Sequence, residues 1–143
     1  MPTAKDVAQY ILEQRGATNT IKLQKLVYYC QAWHLVWEEC PIFNDRIEAW
    51  ANGPVIPSLF FAHQGLFSIG PDSNIGGSNN LGVSEKETID VILREYGDKS
   101  SQWLVELTHL EDPWKNARGF CRPGARCNNE ITHAAMAEYY SGL

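Results

Sequence analysis

The chain has 143 residues, 44% hydrophobic and 20% charged, with a formal net charge of −5 at pH 7. That length and composition suit one ordinary globular domain with a core of its own. The acid excess argues against broad nucleic-acid binding, which needs a basic surface to displace counterions. No run of ~18 apolar residues is present, so no transmembrane helix is expected. The N-terminus MPTAKDVAQYI lacks the apolar stretch of a secretory signal, so a cytoplasmic location is expected.

Thr3 followed by Asp6 is a capping-box pattern, and it opens a helix whose apolar face is Val7, Ala8, Ile11 and Leu12. Gly16 can take a positive φ and closes that helix. Asn19 or Thr20 caps the next one, expected over about 20–39 and ending before Pro41. At ~100° per residue, Leu23, Leu26, Val27, Cys30, His34 and Trp37 share one arc of this helix. Tyr28, Tyr29, Ala32, Leu35 and Val36 occupy the other sides, so the helix should be buried on most of its circumference. Only Lys22, Gln24 and Lys25 give its first turn a wet side. It is therefore expected to be the central helix of the domain.

Ile47-Glu48-Ala49-Trp50-Ala51 reads as extended, Asn52-Gly53 as a turn, and Val55-Ile56 as the returning arm of a short hairpin within 46–57. Pro54 cannot donate to a ladder, which keeps the hairpin short and at an edge. Pro57 suits the first position of a helix running to about His63. The Gly-, Ser- and Asn-rich run at about 68–83 is expected to be a long, flexible surface loop. Ser84 with Glu87 suggests a second capping box, before a helix with Ile89, Ile92, Leu93 and Tyr96 on one face and Gly97 at its end. A further helix starts near Ser101 with Trp103, Leu104 and Leu107 inward. Asp112-Pro113 caps another that runs to Arg118, and Thr132 caps a last one that docks through Ala135, Met136, Tyr139 and Tyr140. The expected fold is mainly α: a single domain over 1–143, with six to seven helices around the central one and at most one small hairpin.

Catalytic patterns are sparse. Cys30 and His34 lie four apart on one helical face, as a Cys–His nucleophile would require. They sit inside an apolar stripe, which favours a buried thiol and a hydrogen-bonded core histidine. No phosphate loop, G-x-S-x-G or H-E-x-x-H pattern is present. The four cysteines, Cys30, Cys40, Cys121 and Cys127, are expected to be reduced thiols in a cytoplasmic protein. Cys121 and Cys127, flanked at a distance by His109 and His133, are the best metal site on offer. They lack the tight ligand spacing of structural zinc sites, so no metal and no cofactor is expected.

Binding is better served. Trp50, Gly53 and Pro54 lie on a turn, where recognition residues are often carried, and Trp is favoured at binding hot spots. Packing of Trp50 onto the central helix is the competing role. Lys22 and Lys25 could meet an acidic partner or simply be solvated, and His109 with Glu111 could be either a helix-end network or a polar anchor in a groove.

The run Lys22-Leu23-Gln24-Lys25-Leu26-Val27-Tyr28-Tyr29, then Gln31-Ala32-Trp33-His34-Leu35 and Pro41-Ile42-Phe43, is followed by Glu48-Ala49-Trp50-Ala51-Asn52-Gly53-Pro54-Val55-Ile56-Pro57. With Thr108-His109 and Pro113-Trp114 after them, these blocks resemble the Panacea domain of SocA-like antitoxins and phage-associated GepA proteins, from about residue 3 to 140. The resemblance implies a module that neutralises a protein toxin in type II toxin–antitoxin pairs or related phage-defence systems. It would do so by stoichiometric binding and without catalysis. Adaptor presentation of a client to a protease is the further activity it implies. The residues it points to for partner contact are Lys22, Lys25, Trp33, Glu48, Trp50, Asn52, Gly53, Pro54, His109, Glu111 and Trp114. No helix-turn-helix segment accompanies these blocks, so direct DNA binding is not expected. The alternatives are a phage or plasmid accessory protein acting as adaptor to a host protease or regulator, and a small Cys–His hydrolase.

Overall fold

The structure is a computed structural model that describes residues 1–143. Its first helix, α1 (Ala4–Arg15), begins with the expected capping box between Thr3 and Asp6 and ends at Gly16, whose φ is +86°. The central helix α2 (Thr20–Trp37) is capped by Asn19, whose side chain accepts the Lys22 N–H at 2.8 Å. It lies in the middle of the molecule, packed by α1, α4 (Val83–Tyr96), α5 (Ser101–Leu110) and α7 (His133–Ser141). Leu23, Leu26, Val27, Tyr29, Cys30 and Ala32 on it are fully buried. Two short helices complete the count of seven: α3 (Pro57–His63), which lies on α1, and α6 (Asp112–Arg118), which bridges α5, α7 and the hairpin.

The hairpin is β2 (Glu48–Trp50) against β3 (Gly53–Val55), in antiparallel register with Trp50 opposite Gly53 and Glu48 opposite Val55. A second two-stranded sheet, not expected from the sequence, pairs β1 (Thr18–Asn19) with β4 (Ser68–Ile69). β4 begins the segment expected to be a plain loop. That segment also holds turns of 3-10 helix at Pro71–Ser73 and Ser78–Asn80. It is fastened to α1, because Asp6 accepts the Gly77 N–H at 2.8 Å and Gln9 accepts the Ile75 N–H at 3.0 Å. At Gly76 a Cβ would fall 2.3 Å from the Lys5 carbonyl oxygen, so this close approach requires glycine.

Other expectations need correcting. Gln24 and Lys25 are not a wet side: they are 2% and 1% exposed, whereas Trp37, placed on the buried arc, is 44% exposed at the helix end. Gln24 is buried because its amide accepts the Ile56 N–H at 2.8 Å and donates to the Ile56 carbonyl at 3.3 Å. Seven residues on, two helical turns away on the same face, Gln31 does the same for the chain after α2. It accepts from Ile42 at 2.8 Å and donates to the Phe43 carbonyl at 2.6 Å. Each amide spares buried backbone groups a desolvation cost of ~1–3 kcal/mol. The expected box of Ser84 and Glu87 does not form: α4 is capped at Gly82, whose N–H donates to the Glu85 carboxylate at 2.8 Å. The residue capping α6 is Glu111 rather than Asp112. Cys121 and Cys127 are joined in a disulfide with a Cα–Cα distance of 6.1 Å, so the expectation of four thiols fails for this pair. Cys30 and Cys40 are free.

Candidate functional site at the hairpin

The hairpin turns over the first half of α2, and Lys25 lies beneath it. The Lys25 ammonium donates to the Pro54 carbonyl at 3.1 Å. Gly53 sits on the lysine stem: its φ is +116°, and a Cβ there would fall 2.7 Å from Lys25 Cε and 2.9 Å from Thr108 Oγ1. Both the backbone angle and the close approach call for glycine. Burial drives the Lys25 pKa down to about 7.

From the other side, α6 holds the outgoing strand. The Trp114 indole N–H donates to the Trp50 carbonyl at 2.8 Å, and the His109 ring stacks on Trp114 with centroids 3.9 Å apart. The Arg118 guanidinium lies 5.5 Å from the Trp114 ring centre and donates to the Ala49 carbonyl at 3.3 Å. Burial, and then the charges of Lys25 and Arg118, push the His109 pKa down against a hydrogen bond to the backbone of Ala51, which raises it. The imidazole is thus neutral near neutral pH. The Trp50 indole N–H is taken by Glu48 at 2.8 Å, and Glu48 also pairs with Arg46 at 2.8 Å.

Between the hairpin, the start of α2, α3 and the disulfide loop lies a pocket of about 550 Å³. Its walls include Thr20, Gln24, Lys25, Trp50, Phe60, His63, Leu66 and Arg126. Trp50 and Phe60 meet edge to face at 5.0 Å, and His63 Nε2 is 3.0 Å from the Gln24 amide. Of its lining residues Ile21 and Leu66 are exposed, and so are Phe61 and Phe67, the sequence neighbours of the lining residues Phe60 and Leu66.

Lys25, Glu48, Trp50, Asn52, Gly53, Pro54, His109 and Trp114 therefore converge on one region, with Asn52 at the exposed turn and in the pocket wall. Three sequence candidates lie elsewhere. Lys22 is half-buried on the first turn of α2. Trp33 stacks on Trp37 at 5.5 Å and lies 5.5 Å from the Tyr140 ring. Glu111 turns into the core, where it accepts from the hydroxyls of Tyr29 at 2.6 Å and Tyr140 at 2.8 Å. Burial raises its pKa, although both tyrosines work against the shift. Sequence reasoning missed Gln24, His63, Phe60, Leu66, Arg118 and Arg126. Of these, Arg118 alone had a signal, its place one helical turn after Trp114.

Compared with known proteins, residues 23–115 match the family described as Antitoxin SocA-like, Panacea domain. The chain belongs to this family. Antitoxin SocA of Caulobacter vibrioides (strain NA1000 / CB15N) is 28% identical over 127 residues, covering 78% of this chain and 68% of that protein. No solved structure matches. All eight assembled residues, from Lys25 to Trp114, lie inside the matched span. The pocket wall supplied by the disulfide loop at 124–128 lies beyond it. No helix of this Panacea protein is long and apolar enough to cross a membrane.

Proposed function

We propose that this chain is an antitoxin that neutralises a protein toxin by direct stoichiometric contact through the face carrying the hairpin and its pocket. One observation carries the proposal: the concave pocket beside Trp50 has the exposed apolar side chains of Ile21 and Leu66 in its wall, and Phe61 and Phe67, next in sequence to the lining residues Phe60 and Leu66, are exposed as well. Exposed apolar surface of this kind around a depression marks protein contact sites. Family membership supplies the antitoxin role in general. The type II pairing or related phage-defence setting, the cytoplasmic location and the action of 1–143 as one Panacea unit are parts of the same proposal. Catalysis is not part of it. Cys30, the one candidate nucleophile, is 0% exposed and its pKa is pushed up by burial, and His34 is held by Thr88 at 2.8 Å.

The test is co-expression with the product of the adjacent reading frame. Growth arrest by that product alone, relieved by this chain in a complex that co-purifies, is the expected result. No arrest and no complex would refute the antitoxin role and favour an accessory adaptor to a host protease or regulator.

A further inference from the structure

The chain carries 17 acidic residues against 12 Lys and Arg, yet no Asp or Glu lines the pocket beside the hairpin. Lys25, His63 and Arg126 do line it. Neither Lys25 nor Arg126 takes part in an ion pair, since both pairs in the molecule belong to Arg46. Lys25 is 1% exposed and its ammonium meets one acceptor, the Pro54 carbonyl. An ammonium has further N–H donors to satisfy, and a buried cation is costly until an anion or acceptors surround it. The other wall is apolar, formed by Trp50 and Phe60. Ile21 and Leu66, also in the lining, are exposed and apolar, and Phe67, next to Leu66 in the chain, is exposed too, so apolar surface is open to a partner as well as to the pocket's interior.

We propose that the pocket receives an Asp or Glu side chain of the toxin, presented beside an aliphatic or aromatic residue that seats on Trp50, Phe60, Ile21 and Leu66. This rests on the antitoxin reading, because it names the partner chemistry of that same face. Arg126, exposed and free of hydrogen bonds, supplies the forked donor at the mouth. Lys25 and the polar edge of Gln24 and His63 supply the floor. The positive lining also rejects basic segments, so it selects among partners as well as attracting one.

The experiment has two arms. In the first, the toxin complex is titrated by calorimetry with Arg126→Glu, a surface change whose fold is checked by circular dichroism. Binding should weaken by roughly thirtyfold or more, and Arg126→Lys by far less. An acid-to-Arg change at one toxin Asp or Glu should then restore binding to Arg126→Glu, a rescue that a merely structural role for Arg126 would not give. If Arg126→Glu binds like the parent, or no acid-to-Arg toxin variant restores it, the pocket assignment is overturned while the antitoxin reading stands. If the neighbouring product does not bind at all, the antitoxin reading falls and the second arm decides. Acetyl-Leu-Glu-Phe-amide and its Gln counterpart are titrated into the protein, reading the Trp50 indole and Gly53 amide signals by NMR. The Glu peptide should bind about tenfold tighter than the Gln peptide. Equal binding, or no perturbation by either, overturns the proposal.

Discussion

Lys25 offers a measurable consequence of the buried lysine under the hairpin. Its folded pKa is about 7, against 10.5 for an ordinary lysine, because burial disfavours the charged form. Between those values the unfolded chain holds a proton that the folded chain has released, so stability rises with pH. The gain is complete above the unfolded pKa and is lost as pH falls toward the folded one. Each full proton of difference is worth ~1.4 kcal/mol per pH unit. From pH ~7, where half the folded molecules still carry the proton, to pH ~8.5, the gain integrates to about 1.6 kcal/mol. Other groups contribute less in this window: His34, His63 and His109, lowered chiefly by burial, add in the same sense near its lower end, Lys22, lowered by burial, adds near its upper end, and Cys30, raised by burial, subtracts there. Urea unfolding of the parent followed by circular dichroism at pH ~7 and ~8.5 should show this rise. In Lys25→Met, which keeps the stem and loses the charge, most of it should disappear. If parent and variant share the same pH dependence, Lys25 is not titrating in this range and the account of the hairpin floor is wrong.

The other predictions are simpler. Trp50→Ala combined with His109→Ala should weaken toxin binding while the far-ultraviolet spectrum stays helical; full protection of cells by the double variant would remove these residues from the interface. Glu111→Ala leaves the Tyr29 hydroxyl without its acceptor and Tyr140 with only Tyr28 at 3.0 Å, so it should cost ~2–4 kcal/mol in urea unfolding. Binding by the folded fraction of that variant should be unchanged, because Glu111 is a core residue. Unfolding the protein without reductant and alkylating it should label Cys30 and Cys40 only, and Cys121→Ser should lose ~2 kcal/mol, as expected for a short closed loop. Labelling of all four cysteines would refute the disulfide.

The helices were legible wherever a local rule decides them. Thr3 with Asp6, Asn19 before α2, Pro57 at the start of α3 and Thr132 before α7 each act within one turn of chain, and α2 could be recognised as central because it is apolar nearly all round. His34 could be read as a hydrogen-bonded core histidine from its place in the apolar stripe, but the burial of Gln24 and Lys25 was not legible, because what buries them is distant in sequence. Gln24 and Lys25 read as solvated until Ile56 and Pro54 are brought against them. The same limit hid the anchoring of the 68–83 segment, whose partners Asp6 and Gln9 lie on α1. The Cys121–Cys127 link escaped for a related reason: spacing alone does not reveal the loop that Arg118 gathers by donating to the carbonyls of Ala125 and Arg122.

These hidden contacts also explain why the candidate site lies where it does. A helix that buried only apolar side chains would need no particular loop beside it, since hydrophobic contact is non-directional. Gln24 and Lys25 are directional, and their partners are backbone groups of the returning strand and of Ile56 just after it. The polar groups that fix β2–β3 on α2 therefore also form the floor of the pocket, so a change that disturbs the floor should move Trp50 as well. Arg126 reaches the pocket from the disulfide loop and is exposed, so it should alter partner binding without altering the hairpin. Comparing the Trp50 indole NMR signal in Lys25→Met and Arg126→Glu separates the two: the first should shift it in the free protein, and the second should leave it in place.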